Sequence, residues 1–219
     1  MGFLDDLVDG KKKYTIDNRT NTPLGDWARK YKWSYVRRDD RWADKFPGLP
    51  HFRDNDGKQA FDVIRGGHRG RRVDAFQYFW ERKQTPDRFG RRRSEFHKYM
   101  VVNVLTPREQ PALTVTTEMW DSKFDLDLAS VEFNKTFKVK VEREHQKFAH
   151  DVLHPQMTEF LLADERATEL KWPFRFERGD LYTWEEWEPS LDMRVVMHKA
   201  NFLIDILERV PESVWKDQP

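Results

Sequence analysis

Cysteine is missing from all 219 residues, and its absence excludes disulfides, thiolate zinc sites, iron–sulfur ligation and a cysteine nucleophile. Long apolar runs are missing too. No stretch approaches the ~20 residues needed to cross a bilayer. The opening MGFLDDLVDGKKKYTID has too short an apolar run and too early a pair of acids for a signal peptide, and Asp6 stands where a myristoylation site wants Ser or Thr. These absences fit a cytoplasmic, reducing setting. Catalytic signatures are equally scarce. The few serines include none in a G-x-S-x-G elbow, and GGHRG at 66–70 has neither the length nor the Lys-Ser/Thr of a P-loop. Neighbouring acids such as Glu185 and Glu186, or Asp125 and Asp127, are ordinary on surfaces. No catalytic residue emerges, and no cofactor is called for.

What is abundant is aromatic: nine Trp and sixteen Phe among 38% hydrophobic residues suffice for a large core. Charged residues reach 35%, yet the net charge is only +1, so the surface is mixed in sign rather than polycationic. The halves differ. Residues 1–100 hold 24 Lys and Arg against 15 Asp and Glu, a net of +9, and residues 101–219 hold 15 against 23, a net of −8. Such a polarised chain could pair with a second copy of itself, and a homo-oligomer is one expectation.

The spacing predicts a helix from Thr22-Pro23 to about Lys32, a strand at WSYVRR (33–38), and a helical turn or two at DDRWADKF (39–46). Strands follow at 59–65, 71–82, 98–105, 112–119 and 137–142. The run 98–105, apolar on both faces, reads as central, and FKVKVE as a lysine-guarded edge. Then come two short helices split at Pro155, a hairpin over 172–187 turning at Gly179 and Asp180, and a long helix. Its stripe of Met193, Val196, Met197, Ala200, Leu203, Ile204, Leu207 and Val210 ends before Pro211. The fold class is α+β: a mainly antiparallel β-sheet covered by helices on one face, with a C-terminal helix–helix–hairpin–helix segment. We divide the chain into a tail (1–21), a mainly β part with basic loops (22–142), and the helix–helix–hairpin–helix part (143–219) on the same core.

Three constellations could carry function. Residues 65–93 hold ten Lys and Arg against three acids. Within them Arg69, Arg71, Arg72, Arg88, Arg91, Arg92 and Arg93 are the candidate contacts if the partner is nucleic acid. The glycines of GGHRG suit a hairpin turn, which puts the clusters 69–72 and 82–93 at opposite ends of one strand rather than in one patch. Second, Trp172, Trp184 and Trp187 crowd the C-terminal hairpin. They pack under the last helix or, if exposed, anchor a protein partner. Third, His150 and His154 stand four apart on a helix, the spacing at which two imidazoles meet one metal; the zincin glutamate between them is missing, and no third ligand is evident.

Three segments, ARKYKWSYVRRDD (28–40), FDVIRGGHRGRRVDAFQYFW (61–80) and VEFNKTFKVKVEREHQKFAHDVLHPQMTEFLL (131–162), resemble an uncharacterised family of proteins from actinobacteria and their phages. The likeness spans most of residues 22–210, and the two motifs that carry it run from Gly67 to Tyr78 and from Phe137 to Met157. It departs where the second motif's usual aspartate is replaced by Glu142 or Glu144. The resemblance implies no reaction and no catalytic residue. The expectation is therefore a non-enzymatic protein-interaction or adaptor protein, with nucleic-acid binding as the alternative and an enzyme of unrecognised type third.

Overall fold

The structure, a computed structural model, describes residues 22–49, 58–83, 94–117, 126–186 and 191–216, without the side chains of 82, 83 and 94–96. The first helix, α1 (Pro23–Lys30), begins where the sequence says it should. Thr22 Oγ1 accepts from the Gly25 amide at 3.0 Å, and Pro23 takes the first turn, where its missing N–H costs nothing. Strand β1 (Ser34–Arg38) and helix α2 (Arg41–Lys45) follow.

Three long strands, β2 (Gln59–His68), β3 (Arg71–Lys83) and β4 (Ser94–Leu105), then build an antiparallel meander with β1 on its outer side. The β2–β3 turn is only two residues, Arg69 and Gly70, both at positive φ (48° and 72°), the backbone twist that tight hairpins favour. Gly66 and Gly67 lie within β2 rather than in the turn. Gly66 is there for space: a Cβ on it would stand 2.1 Å from the Trp33 indole. Strand β2 also bulges between Phe61 and Ile64, with Asp62 at φ 53°.

The second half adds β5 (Leu113–Thr116), α3 (Val131–Thr136), β6 (Lys138–Val141), α4 (Gln146–Val152), α5 (Pro155–Ala163), α6 (Glu165–Thr168), the hairpin β7 (Phe174–Glu177) and β8 (Asp180–Glu186), and α7 (Met193–Leu207). One antiparallel sheet results, in the order β1-β2-β3-β4-β8-β7-β5-β6. Strand β4 is central and β6 is an edge, as the apolar run of the one and the alternation of the other imply, with Lys138 and Lys140 half-buried on β6. The β7–β8 turn falls on Arg178 and Gly179, one residue earlier than the sequence suggests, because Asp180 already pairs with Glu177. Among the described residues no helix is long and apolar enough to cross a membrane.

Both faces of the sheet are covered, not one. Helix α7 packs across β3, β4 and β8, closing a core that includes Ile64, Val102, Phe174, Phe176, Phe202 and Leu203. On the opposite face Trp42 and Phe46, four apart on and just after α2, roof a second cluster of Phe76, Tyr78, Trp80, Tyr99, Tyr182 and Trp184. Phe46 stacks on Phe76 at 5.5 Å and meets Tyr182 edge-on at 4.8 Å.

Candidate interaction site

The basic turn is tied down. Arg69 bonds Asp205 and Glu208 on and beside α7, both at 2.7 Å, and His68 Nε2 meets Asn201 Oδ1 at 2.8 Å. Arg166, held by Asp164, shares Asp205 at 2.8 Å. Burial pushes the Asp205 carboxyl up, but its two arginines outweigh that and hold it below the ordinary range. Arg72 reaches Asp74 at 3.3 Å. Among the described residues Arg69 and Arg72 form ion pairs and Arg71 forms none. Arg88, Arg91, Arg92 and Arg93 lie outside the described residues. The β3–β4 ladder ends at Lys83↔Ser94, the end of β3 remote from the Arg69–Gly70 turn.

The tryptophans part company. Trp172 is buried under α7, edge-on to Phe202 at 5.9 Å. Trp184 is buried on the opposite face beside Tyr182. Neither is an exposed anchor, a correction that follows from strand parity: Tyr182 and Trp184 point away from α7, while Trp172 precedes β7 and folds beneath the helix. Trp187 lies outside the described residues. Against Trp172 sits a residue that motif reading passes over. Lys199 is fully buried, its Nζ 3.8 Å from the Trp172 ring centroid and 3.0 Å from Glu185 Oε2. Burial lowers its pKa to about 8, against the pull of Glu185. Its signal in the sequence is a lysine three residues after Val196 and four before Leu203, inside the apolar stripe.

A polar floor lies beneath the α2 roof. Asp74 on β3 and Asn103 on β4 are register partners, and Asn103 Nδ2 donates to Asp180 Oδ1 at 2.7 Å. Lys45 reaches down from α2 to the same oxygen at 2.8 Å. Burial raises the Asp180 pKa, with the Lys45 charge opposing. Arg175 bonds Glu177 and Thr114 and lies so close under Gly48 that a Cβ there would fall 2.0 Å from its Nε. Both buried acids are met by cations, Arg65 and Arg72 at Asp74 and Lys45 at Asp180, and the roof covers them. The alternation held the clue, since Asp74 falls on the same face as Phe76, Tyr78 and Trp80.

The histidine pair does not converge. His150 is exposed on α4, while His154, ahead of α5, directs Nε2 to the Arg209 carbonyl at 3.0 Å. The potential metal-ligating group among the described residues is different: Glu142, Glu144 and His145, exposed or half-exposed in the turn before α4. Beside it opens a cleft of about 370 Å³ between the β4–β5 link, α4 and the C-terminal 3-10 turn (Glu212–Trp215). Phe148, edge-on to Phe176 at 5.9 Å, forms its apolar part with Pro111 and Val214, and Arg108, Lys147 and Lys216 stand among Glu109, Glu144 and Asp151 on its walls. Gln110 fastens two walls together, its side chain donating to the Val214 carbonyl at 3.2 Å. Open, charged in both signs and apolar at one spot, this cleft suits a polypeptide segment better than a small enclosed substrate.

No family model and no curated protein matches the chain. Among solved structures it is similar to the mycobacterial trehalose monomycolate transport factor A, TtfA, at 12% identity and a TM-score of 0.56. The match covers 90% of this chain and 96% of that one. At that identity the likeness is one of fold.

Proposed function

We propose that the protein is a non-enzymatic, macromolecule-binding factor that engages a protein partner through the cleft between the β4–β5 link, α4 and the C-terminal turn. The observation that carries this reading is the cleft's make-up: balanced charge around Phe148 with no buried acid, base or nucleophile opening into it. The described ionisable groups that are buried, among them Lys199, Asp74 and Asp180, face cations, carboxylates or aromatic rings of the chain itself. The fold shared with a protein described as a transport factor agrees with a non-catalytic role. Nucleic-acid binding is the weaker reading, because Arg69 and Arg72 are engaged within the chain.

Affinity capture from host lysate, at low and moderate salt and with nuclease in parallel, tests this. A defined protein retained by the native chain and lost from Phe148→Asp and Lys147→Glu supports the cleft. Retention that disappears with nuclease or salt, and that the cleft variants leave untouched, overturns it in favour of the arginines.

A further inference from the structure

Outer strands are templates for further pairing, and proteins usually guard them. At β6 the guard is visible in Lys138 and Lys140. Strand β1, the other outer strand among the described residues, is guarded less. Its two arginines are each held by an acid of the same chain but keep their charge: Arg37 binds Asp62, which also accepts from the Tyr35 hydroxyl at 2.7 Å, and Arg38 grips Asp40 through Nε at 2.8 Å. Only four large apolar side chains stand exposed among the described residues. Two of them, Tyr31 (52%) and Val36 (45%), belong to this strand or its approach.

We propose that β1 is a homodimer edge, where two copies pair antiparallel through Ser34–Arg38 with Val36 on the twofold axis and the two sheets become one. The inference stands apart from the cleft and its partner. A twofold axis normal to the sheet keeps each residue on its own face, so only registers that oppose residues of equal parity are allowed. Centring on Tyr35 sets Lys32 against Arg38 of the second copy. Centring on Arg37 sets arginine against arginine and Val36 against Arg38. Centring on Val36 avoids every like-charge pair: valine meets valine, Tyr35 meets Arg37, Ser34 meets Arg38, and just beyond the strands Lys32 meets Asp40. Charge and apolar contact thus select one register, and such cross-strand pairs are the unit of sheet stability.

The cysteine-free chain offers a direct test. Residues facing each other on the axis have Cα atoms about 4.5–5.5 Å apart, inside the span of a disulfide. Position 34 lies four residues out of register with its own copy, roughly 13 Å away, and cannot bridge. Under mild oxidation Val36→Cys should convert to a covalent dimer of twice the 26.5 kDa chain, while Ser34→Cys stays monomeric on a denaturing gel. Sedimentation of the unmodified chain should give the same doubled mass, and Val36→Asp should weaken association at least tenfold without altering the circular dichroism melt. A monomeric native chain, a dimer in which Val36→Cys fails to bridge, or equal bridging at position 34 would each overturn the proposal.

Discussion

Lys199 places an ammonium where every neighbour in the stripe is apolar, and its protonation couples to folding in the direction opposite to that of the buried Asp180, Tyr78 and Tyr182. In the folded chain it releases its proton near 8, in the unfolded chain near 10.5. Between those values the unfolded state holds the extra proton, so stability rises with pH, by about 3 kcal/mol across the window. Above about pH 10 the slope reverses, because burial keeps the Tyr78 and Tyr182 hydroxyls protonated beyond their usual range and unfolding frees them to ionise. Urea titrations from pH 7 to 10 should show this climb. Lys199→Met should flatten it and raise the midpoint at pH 7, since it removes a buried charge while leaving half-exposed Glu185 to water. Gly66 makes a second prediction at this scale. Gly66→Ala drives a methyl into the Trp33 ring and should cost about 1–3 kcal/mol, a loss that shrinks in a Trp33→Leu background. Neither feature is announced by a motif. Lys199 is visible as a misfit in a helical stripe, whereas the need for Gly66 arises from a side chain 33 positions earlier, just ahead of the neighbouring strand β1.

The elements themselves were largely written in local spacing, and what escaped was where they meet. GGHRG marks a hairpin, but which residues turn depends on register: only Arg69 and Gly70 leave the ladder, and Gly66 and Gly67 remain paired with Val73 and Arg72. DDRWADKF reads as a helical turn. That it roofs the second face follows only once the alternation of β3, β4 and β8 has gathered Phe76, Val101 and Tyr182 on one side. The same long-range geometry buried the tryptophans that local crowding had suggested as anchors. It also turned Arg69 from a candidate phosphate contact into a strut between the hairpin tip and α7. That strut is testable. Arg69→Ala, at a partly exposed pair, should cost under about 1 kcal/mol and less in high salt. Asp205→Ala, which strips Arg69 and Arg166 together, should cost more and speed amide exchange at His68–Arg72, while the β7–β8 turn is unchanged.

Across the whole molecule the charge division of the sequence does not coincide with a division of the fold. The basic front supplies β1 to β3, but β4 pairs with β8 from the acidic back, and β5 hangs from β7 rather than from any earlier strand. A fragment covering 22–142 would therefore hold two half-sheets with no strand to join them. It should fail to give a cooperative melt, whereas the full chain should lose its near-ultraviolet and far-ultraviolet signals in one transition. The late arrival of β7–β8 also fixes an order of events on the ribosome. The β1–β4 meander can close as it emerges, each strand beside the one just made. Strand β5 can pair with β6 soon after it is made, but the open side of β4 must wait from Leu105 to Asp180 and the other flank of β5 from Thr116 to Phe174, and such long-separated pairings are slow and leave bare strand edges open to aggregation. The last hairpin is thus the keystone of the sheet, and the interval before it arrives is when the nascent chain depends most on a chaperone.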